Sequence, residues 1–256
     1  MPHILVTNDD GVDAPGLLAL AQALQPLGKI TIVAPSHNWS MCGHVKTIFK
    51  PLKVNQVNLA DGSSAFSLDG APSDCVAVAL MGMLPEKVDL VVSGINPYAN
   101  LGHDLTYSGT VTAAMEAVIH GVPGVAVSLN GPDHNFKGEV DYSAAADAAS
   151  RVARKVLRKG LPPETLLNVN APYLPAEKLN GFQITRLGKR IYLDVLIPDQ
   201  TGQAEYQIGG DPPIGENEAG TDFGALAAGF VSITPVHLDM TAYHMMEPLH
   251  GWEWDF

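Results

Sequence analysis

Ile4-Leu5-Val6-Thr7-Asn8-Asp9-Asp10-Gly11 begins as a run of strand-forming residues and stops at two adjacent carboxylates and a glycine. Its first half, Ile4 to Thr7, reads as a buried strand because turn formers bound it. Pro15 stands where the first turn of a helix tolerates proline, and Leu17, Leu18, Ala21 and Leu24 mark one apolar face behind it. Ile30 to Ala34 is a second strand.

The alternation continues as far as Asn170. Between Pro35 and Pro72 lie shorter strand-like pieces, Pro72 opens a helix that stops before Pro85, and Val88 to Val92 is a third core strand. Ser108 caps a helix through Ala113, Ala114 and Ala117 that ends at Gly121, before a strand from Val125 to Ser128. Asp141 to Lys159 is a longer helix whose Arg151, Arg154, Lys155, Arg158 and Lys159 collect where the helix dipole favours cations. Leu166 to Asn170 is the fifth strand. The pattern predicts an α/β fold, a Rossmann-like, doubly wound and mostly parallel sheet whose ligands lie beyond the carboxyl ends of its strands.

From Phe182 the pattern changes to short β-like pieces, a Gly/Pro-rich stretch from Gly209 to Gly220, and a last strand from Phe230 to Thr234. Residues 1–181 are read as the catalytic core and 182–256 as a β-rich extension of the same domain, an arm for subunit contacts.

With 256 residues, 46% of them hydrophobic and 16% charged, the chain can bury one large core but not two full-sized domains. Its net charge of −12 argues against a nucleic-acid polymer or an anionic membrane surface, which need clustered Lys and Arg. Single nucleotides stay possible, since a local metal can cancel local negative charge. Cys42 and Cys75 make no disulfide framework, the first residues lack a basic signal-peptide region, and the longest apolar run, around Cys75 to Leu84, is too short to span a bilayer. A cytoplasmic location is expected.

Asp9 and Asp10 follow the first strand, where carboxylates can hold a hard divalent cation. Asn, Asp and Gly are also turn formers, so the motif alone is equally well read as a turn. It lacks the G-x-G-x-x-G of a dinucleotide site and the Asp-x-Asp spacing of a dehalogenase-type covalent phosphatase. After the second strand, Ser36-His37-Asn38-Trp39-Ser40-Met41-Cys42-Gly43-His44 supplies hydroxyl and imidazole groups at the same sheet edge. Cys42 reads as a small packed residue, with no assignable His/Asn partner. After the third strand come Ser93-Gly94-Ile95-Asn96, Asn100-Leu101-Gly102 and Ser108-Gly109-Thr110. The amides of Asn96 and Asn100 can serve a cation or a phosphate, and the helix that opens at Ser108-Gly109-Thr110 offers its dipole to an anion. A plain capped helix is the alternative reading. Cation ligands beside an anion cradle suggest metal-assisted attack of water on a phosphate ester. Lys46, Lys50 and Arg186 are the basic residues placed to assist.

The motifs Thr7-Asn8-Asp9-Asp10-Gly11 with Ala14-Pro15-Gly16, Val33-Ala34-Pro35, Gly70-Ala71-Pro72-Ser73-Asp74-Cys75-Val76, Ser93-Gly94-Ile95-Asn96, Asn100-Leu101-Gly102 and Ser108-Gly109-Thr110-Val111 together resemble the SurE survival-protein family in order and spacing. Asn168-Val169-Asn170, Thr185-Arg186 and Gly220-Thr221-Asp222 extend the likeness over almost the whole chain. The resemblance implies a phosphatase of nucleoside 5′-monophosphates, with 3′-nucleotides and short polyphosphate as further substrates. It implies one divalent ion per subunit, Mg2+ or Mn2+, on Asp9, Asp10, Ser40 and Asn96, with Asp9 and Asp10 catalytic and Asp9 also placed to orient or deprotonate the water. Asn8, Asn96, Asn100, Ser108, Gly109 and Thr110 would hold the phosphate, and the arm would be exchanged within a homodimer or homotetramer. Tyr98, Met41 and Ser36-His37 depart from the commonest family pattern, which bears on pocket size and nucleotide preference. Two other functions fit parts of the sequence: a nucleotide-binding sensor or assembly module docking through Trp252-Glu253-Trp254-Asp255-Phe256, and a sugar-nucleotide transferase, for whose second domain the chain has little room.

Overall fold

The structure is a computed structural model that describes residues 1–132, 136–198 and 206–254, with Asp211 and Pro212 described by their backbone alone. Asp255 and Phe256 of the aromatic tail lie outside the described residues.

The alternating part forms β1 (His3–Thr7), α1 (Pro15–Leu24), β2 (Lys29–Pro35), β3 (Val54–Asn58), β4 (Ser64–Leu68), α2 (Pro72–Val78), β5 (Leu90–Asn96), α3 (Gly109–Ile119), β6 (Gly124–Asn130), α4 (Ser143–Lys159) and β7 (Thr165–Pro172). The remainder adds β8 (Phe182–Ile184), β9 (Arg190–Pro198), β10 (Tyr206–Gly215), α5 (Asp222–Ala227), β11 (Val231–His237) and α6 (Tyr243–His250). Nine strands make one sheet in the order β3-β4-β2-β1-β5-β6-β7-β11-β8. The run from β4 through β7 is parallel, with β3 and β11 antiparallel to their neighbours β4 and β7.

Both faces of the sheet are covered, which is why β1 reads as a continuous apolar run rather than an alternating one. Ile4 and Val6 point into a core with Leu17, Leu20 and Leu24 of α1 and Ala145, Ala149 and Val152 of α4. Leu5 points the other way, against Cys75 and Val76 of α2 and Ala113 and Ala117 of α3. Each fully buried leucine of α1 contributes about 2 kcal/mol of transfer free energy.

Three features differ from the sequence expectation. β5 runs on through Ser93-Gly94-Ile95 to Asn96, where a loop was expected, because Gly94 lets the backbone press on β6: a Cβ there would sit 2.2 Å from the Val127 carbonyl. The Gly/Pro-rich stretch from Gly209 is strand as far as Gly215, paired with β9 in a separate two-stranded ribbon whose register shifts between Asp211 and Ile214. Helices α5 and α6 were not anticipated. Segments β8 and β11, from the expected extension, complete the edge of the main sheet.

Gly16 sets how closely α1 approaches β5, since a Cβ there would lie 2.2 Å from the Ile95 carbonyl. Gly16→Ala should destabilise the fold by about 2 kcal/mol through forced separation of α1 and β5. Calorimetric melting of the two proteins checks this, and an unchanged melting temperature would show that the contact relaxes freely.

Candidate active site

The strand order changes direction between β1 and β5: later strands are added beyond β5, while β2 and β4 lie beyond β1. In an open α/β sheet this switch point leaves a crevice outside the carboxyl ends of the two strands. Asp9 and Asp10 follow β1 and Asn96 ends β5, with Thr7 paired to Ser93 between them.

Asp9 is 3% exposed. Its Oδ1 accepts a 2.5 Å hydrogen bond from the Thr110 hydroxyl, in the first turn of α3. Gly109 makes this approach possible, because a Cβ there would lie 2.7 Å from the Asp9 Cβ and 3.1 Å from both Asp9 Oδ2 and Cys42 Sγ. The Ser108 hydroxyl accepts from the Val111 N–H and so caps the same helix. The start of α3 therefore faces the Asp9 carboxylate. Burial raises its pKa, against the opposing hydrogen bonds from Thr110 and the local backbone.

Asp10 has no such support. Burial, then the charge of Asp9, pushes its pKa up to about 7. Asn8 is fully buried; its Nδ2 donates to the Gly11 carbonyl at 2.9 Å, while its Oδ1 finds no protein partner. Asn96 uses its Nδ2 on the Tyr98 carbonyl at 2.5 Å, so its Oδ1 is the donor atom available for a cation. Ser40 is exposed on the loop after β2, and the adjacent Trp39 N–H donates to the Asp9 carbonyl at 2.7 Å. This bond brings the Ser40 segment to the acidic pair.

Asn100 lies deeper. Its N–H donates to Asn170 Oδ1 and its Nδ2 to Ser128 Oγ, while its carbonyl accepts from the side chains of Asn168 and Asn170. Two of the three basic residues that were candidates to assist are engaged elsewhere: Lys46 pairs with Glu116 at 2.6 Å and Arg186 with Glu218 at 2.5 Å. His44 and His120 also contact the buried Glu116, at 2.9 and 3.0 Å. Burial opposes the Glu116 charge, but the hydrogen bonds from His44, Lys46 and His120 and the charge of Lys46 outweigh it, holding the carboxyl at about 2.

The family model described as survival protein SurE matches residues 4–194. The chain belongs to the SurE family. It is 51% identical to a Herpetosiphon aurantiacus protein named 5′-nucleotidase SurE, covering 99% of each chain, and 48% identical to a protein of the same name from Chloroflexus aggregans, covering 99% of this chain and all of the other. The crystal structure of the SurE protein from Aquifex aeolicus superposes with a TM-score of 0.81 at 39% identity, covering 97% of this chain and 98% of that one.

In this SurE-family chain the side chains of Asp9, Asp10, Ser40 and Asn96 all offer oxygen, the donor type that hard divalent cations take. Among the described residues no ion pair involves Asp9 or Asp10, and no group of three His, Cys, Asp or Glu side chains could hold a metal. Two uncompensated carboxylates beside neutral oxygens, with the Asn8 Oδ1 unpartnered, fit one such cation. No helix among the described residues is long and apolar enough to cross a membrane.

Two residues that shape the site were given no such role in the sequence reading. Tyr142 lies beside Gly16, and burial followed by the charge of Asp10 pushes its phenol to about 12. Asp222 is fully buried and accepts from the N–H groups of Gly102 and Gly188 at 2.8 Å each, fixing the loop that follows Asn100. Glycine-loop chemistry flagged the loop; nothing local flags its distant partners.

The folded protein without metal retains a proton on Asp10 up to about pH 7, whereas the unfolded chain releases it near 3.8, so stability falls as pH rises across that interval. Asp10→Asn should therefore stabilise the metal-free protein. The gain should be absent near pH 3 and reach up to about 4 kcal/mol above pH 7. Melting curves in chelator across this range test it, and a pH-independent difference would contradict the assignment.

Proposed function

We propose that this protein is a metal-dependent 5′-nucleotidase that hydrolyses nucleoside 5′-monophosphates to nucleoside and phosphate. The observation that carries the reading is the pair of unpaired carboxylates at the sheet's switch point, one of them pressed against the start of α3. The names of the close relatives support the same activity.

In this reading Asp9, Asp10, Ser40 and Asn96 hold one divalent ion, Mg2+ or Mn2+. When bound, such an ion lowers the pKa of water and offsets charge on the phosphoryl oxygens. The chain's own residues do the rest. Thr110 and Gly109 keep the Asp9 carboxylate in one orientation, where it can also orient the attacking water. Ser108, Gly109 and Thr110 set the helix start beside the phosphate, with the Asn8 and Asn96 side chains as further polar contacts. Asn100 holds the loop after β5 through its backbone and Nδ2, and stays in this reading a phosphate contact from the floor of the crevice.

The same site is proposed to accept 3′-nucleotides and short polyphosphate. A homodimer or homotetramer is proposed for the assembly, because the β9–β10 ribbon exposes Leu193, Val195, Leu196 and Ile208, and α6 buries none of its residues in the protomer.

Phosphate release from a panel of nucleoside 5′- and 3′-monophosphates and short polyphosphates, with Mn2+, Mg2+ or chelator, tests the activity. Asp9→Asn should lower kcat by about 10³-fold, the loss expected when several kcal/mol of charge stabilisation is removed. Tight nucleotide binding with no release at any metal concentration would replace the enzyme with a sensor.

A further inference from the structure

The loop carrying Ser40 is tied down at its far end. The Gly43 N–H donates to the Tyr107 carbonyl at 3.0 Å, and the Gly43 carbonyl accepts from the Thr112 hydroxyl at 3.0 Å. His44 and Lys46 both reach Glu116. The Val45 carbonyl accepts from the Ser73 hydroxyl, and Thr47 donates through its N–H and its hydroxyl to the two oxygens of Asp74, at 2.8 and 2.7 Å. Every residue from Gly43 to Thr47 is therefore bonded to α2, α3 or the turn that precedes α3. Ser40 and Met41, by contrast, are exposed, and Met41 stands in a left-handed conformation at φ 60°.

The helix that receives the loop is the one that touches Asp9. Thr112 and Glu116 share one face of α3 and His120, just past its end, continues the spacing of four, while Thr110 and Gly109 in the first turn contact Asp9. The six residue steps from Thr110 to Glu116 span about 9 Å of rigid helix. Glu116 is 1% exposed, so its charge persists only because His44, Lys46 and His120 surround it. Two of those three partners come from the loop.

We propose that Glu116 is a positioning residue for the cation site: through His44 and Lys46 it fixes the loop on α3 and so sets Ser40 against the Asp9–Asp10 pair. The inference rests on the reading that this site takes a divalent cation. It assigns no contact between Glu116 and metal or substrate. Asp74 performs the matching task from α2, through Thr47.

The test is direct Mn2+ binding, followed by electron paramagnetic resonance without substrate, on the full chain. Glu116→Gln preserves shape but removes the charge, and should weaken Mn2+ binding about 10-fold, as loss of outer partners of metal ligands does. Lys46→Met removes one loop contact from the exposed side and should weaken it by about threefold. In a Ser40→Ala background neither change should weaken binding further, because the effect runs through Ser40. A folded Glu116→Gln protein with wild-type Mn2+ affinity overturns the proposal, as do losses that multiply with that of Ser40→Ala. A role confined to stability would move the melting temperature and leave the affinity unchanged. Should Glu116→Gln fail to fold, Lys46→Met alone and with Ser40→Ala decides the matter. Wild-type protein that binds no Mn2+ removes the cation reading and this inference together, whereas Mn2+ binding indifferent to Glu116 and Lys46 removes this inference alone.

Discussion

A threonine hydroxyl donating to a buried carboxylate, Thr110 to Asp9, is the contact on which the site's geometry depends. A carboxylate with almost no access to water keeps its charge only where dipoles or cations meet it. Here the dipoles come from the first turn of α3, and the missing Cβ of Gly109 is what lets that turn approach. The consequence reaches in both directions along the chain. Asp9 sits directly after β1, so the contact fixes α3 to the centre of the sheet; α3 in turn receives the loop after β2 through Thr112 and Glu116. The two carboxylates and the segment that carries Ser40 are thereby referred to one rigid element.

The other wall of the crevice is held by a different device. Asn100, Asn168 and Asn170 exchange buried hydrogen bonds between the loop after β5 and the strand β7, with Ser128 of β6 as a further partner. Asp222 performs the same service for Gly102 from the start of α5. Although Asn168 Oδ1 has no partner, buried amides and carboxylates bonded in this way are expensive to rearrange, since breaking one bond leaves its partner unpaired in a low-dielectric interior. The loop after β5 is consequently a fixed platform. The loop after β2 is different: its middle, at Ser40 and Met41, is exposed and takes its order from both ends.

What the sequence disclosed follows from which forces act locally. Strand β1 and helices α1 and α3 were legible because periodicity, Pro15 and the Ser108 cap are local signals. The sheet edge at which Asp9 and Asp10 follow β1 and Asn96 ends β5 was legible because a repeated strand–helix pattern dictates where strands end. Lys46 was read as a helper of phosphate and instead pairs with Glu116, seventy residues away in sequence, and no local pattern announces such a partner. The partners that Asn100 finds in β6 and β7 are likewise invisible from its own loop. The stretch from Gly209 defeats composition, because a two-stranded ribbon with a register shift tolerates glycine and proline that a central strand would not. Helix α6 buries none of its residues in the protomer and carries Pro248 in its interior, a residue that locally argues against a helix.

The energetics of the acidic pair complete the connection between fold and chemistry. Asp9 has the dipoles of α3, but Asp10 has burial and a neighbouring negative charge, and both raise its pKa. An isolated surface pair would relax into water; this pair cannot, because β1 on one side and α3 on the other hold it in place. The fold therefore stores an unfavourable interaction at the crevice, and it does so with no lysine, arginine or histidine paired to either carboxylate among the described residues. A side-chain cation there would quench the pair permanently. In the proposed function, leaving the charge to an exchangeable ion would turn that stored repulsion into binding free energy. The same ion would face the phosphate oxygens, so a protein of net charge −12 has no need of a basic surface to handle an anionic substrate.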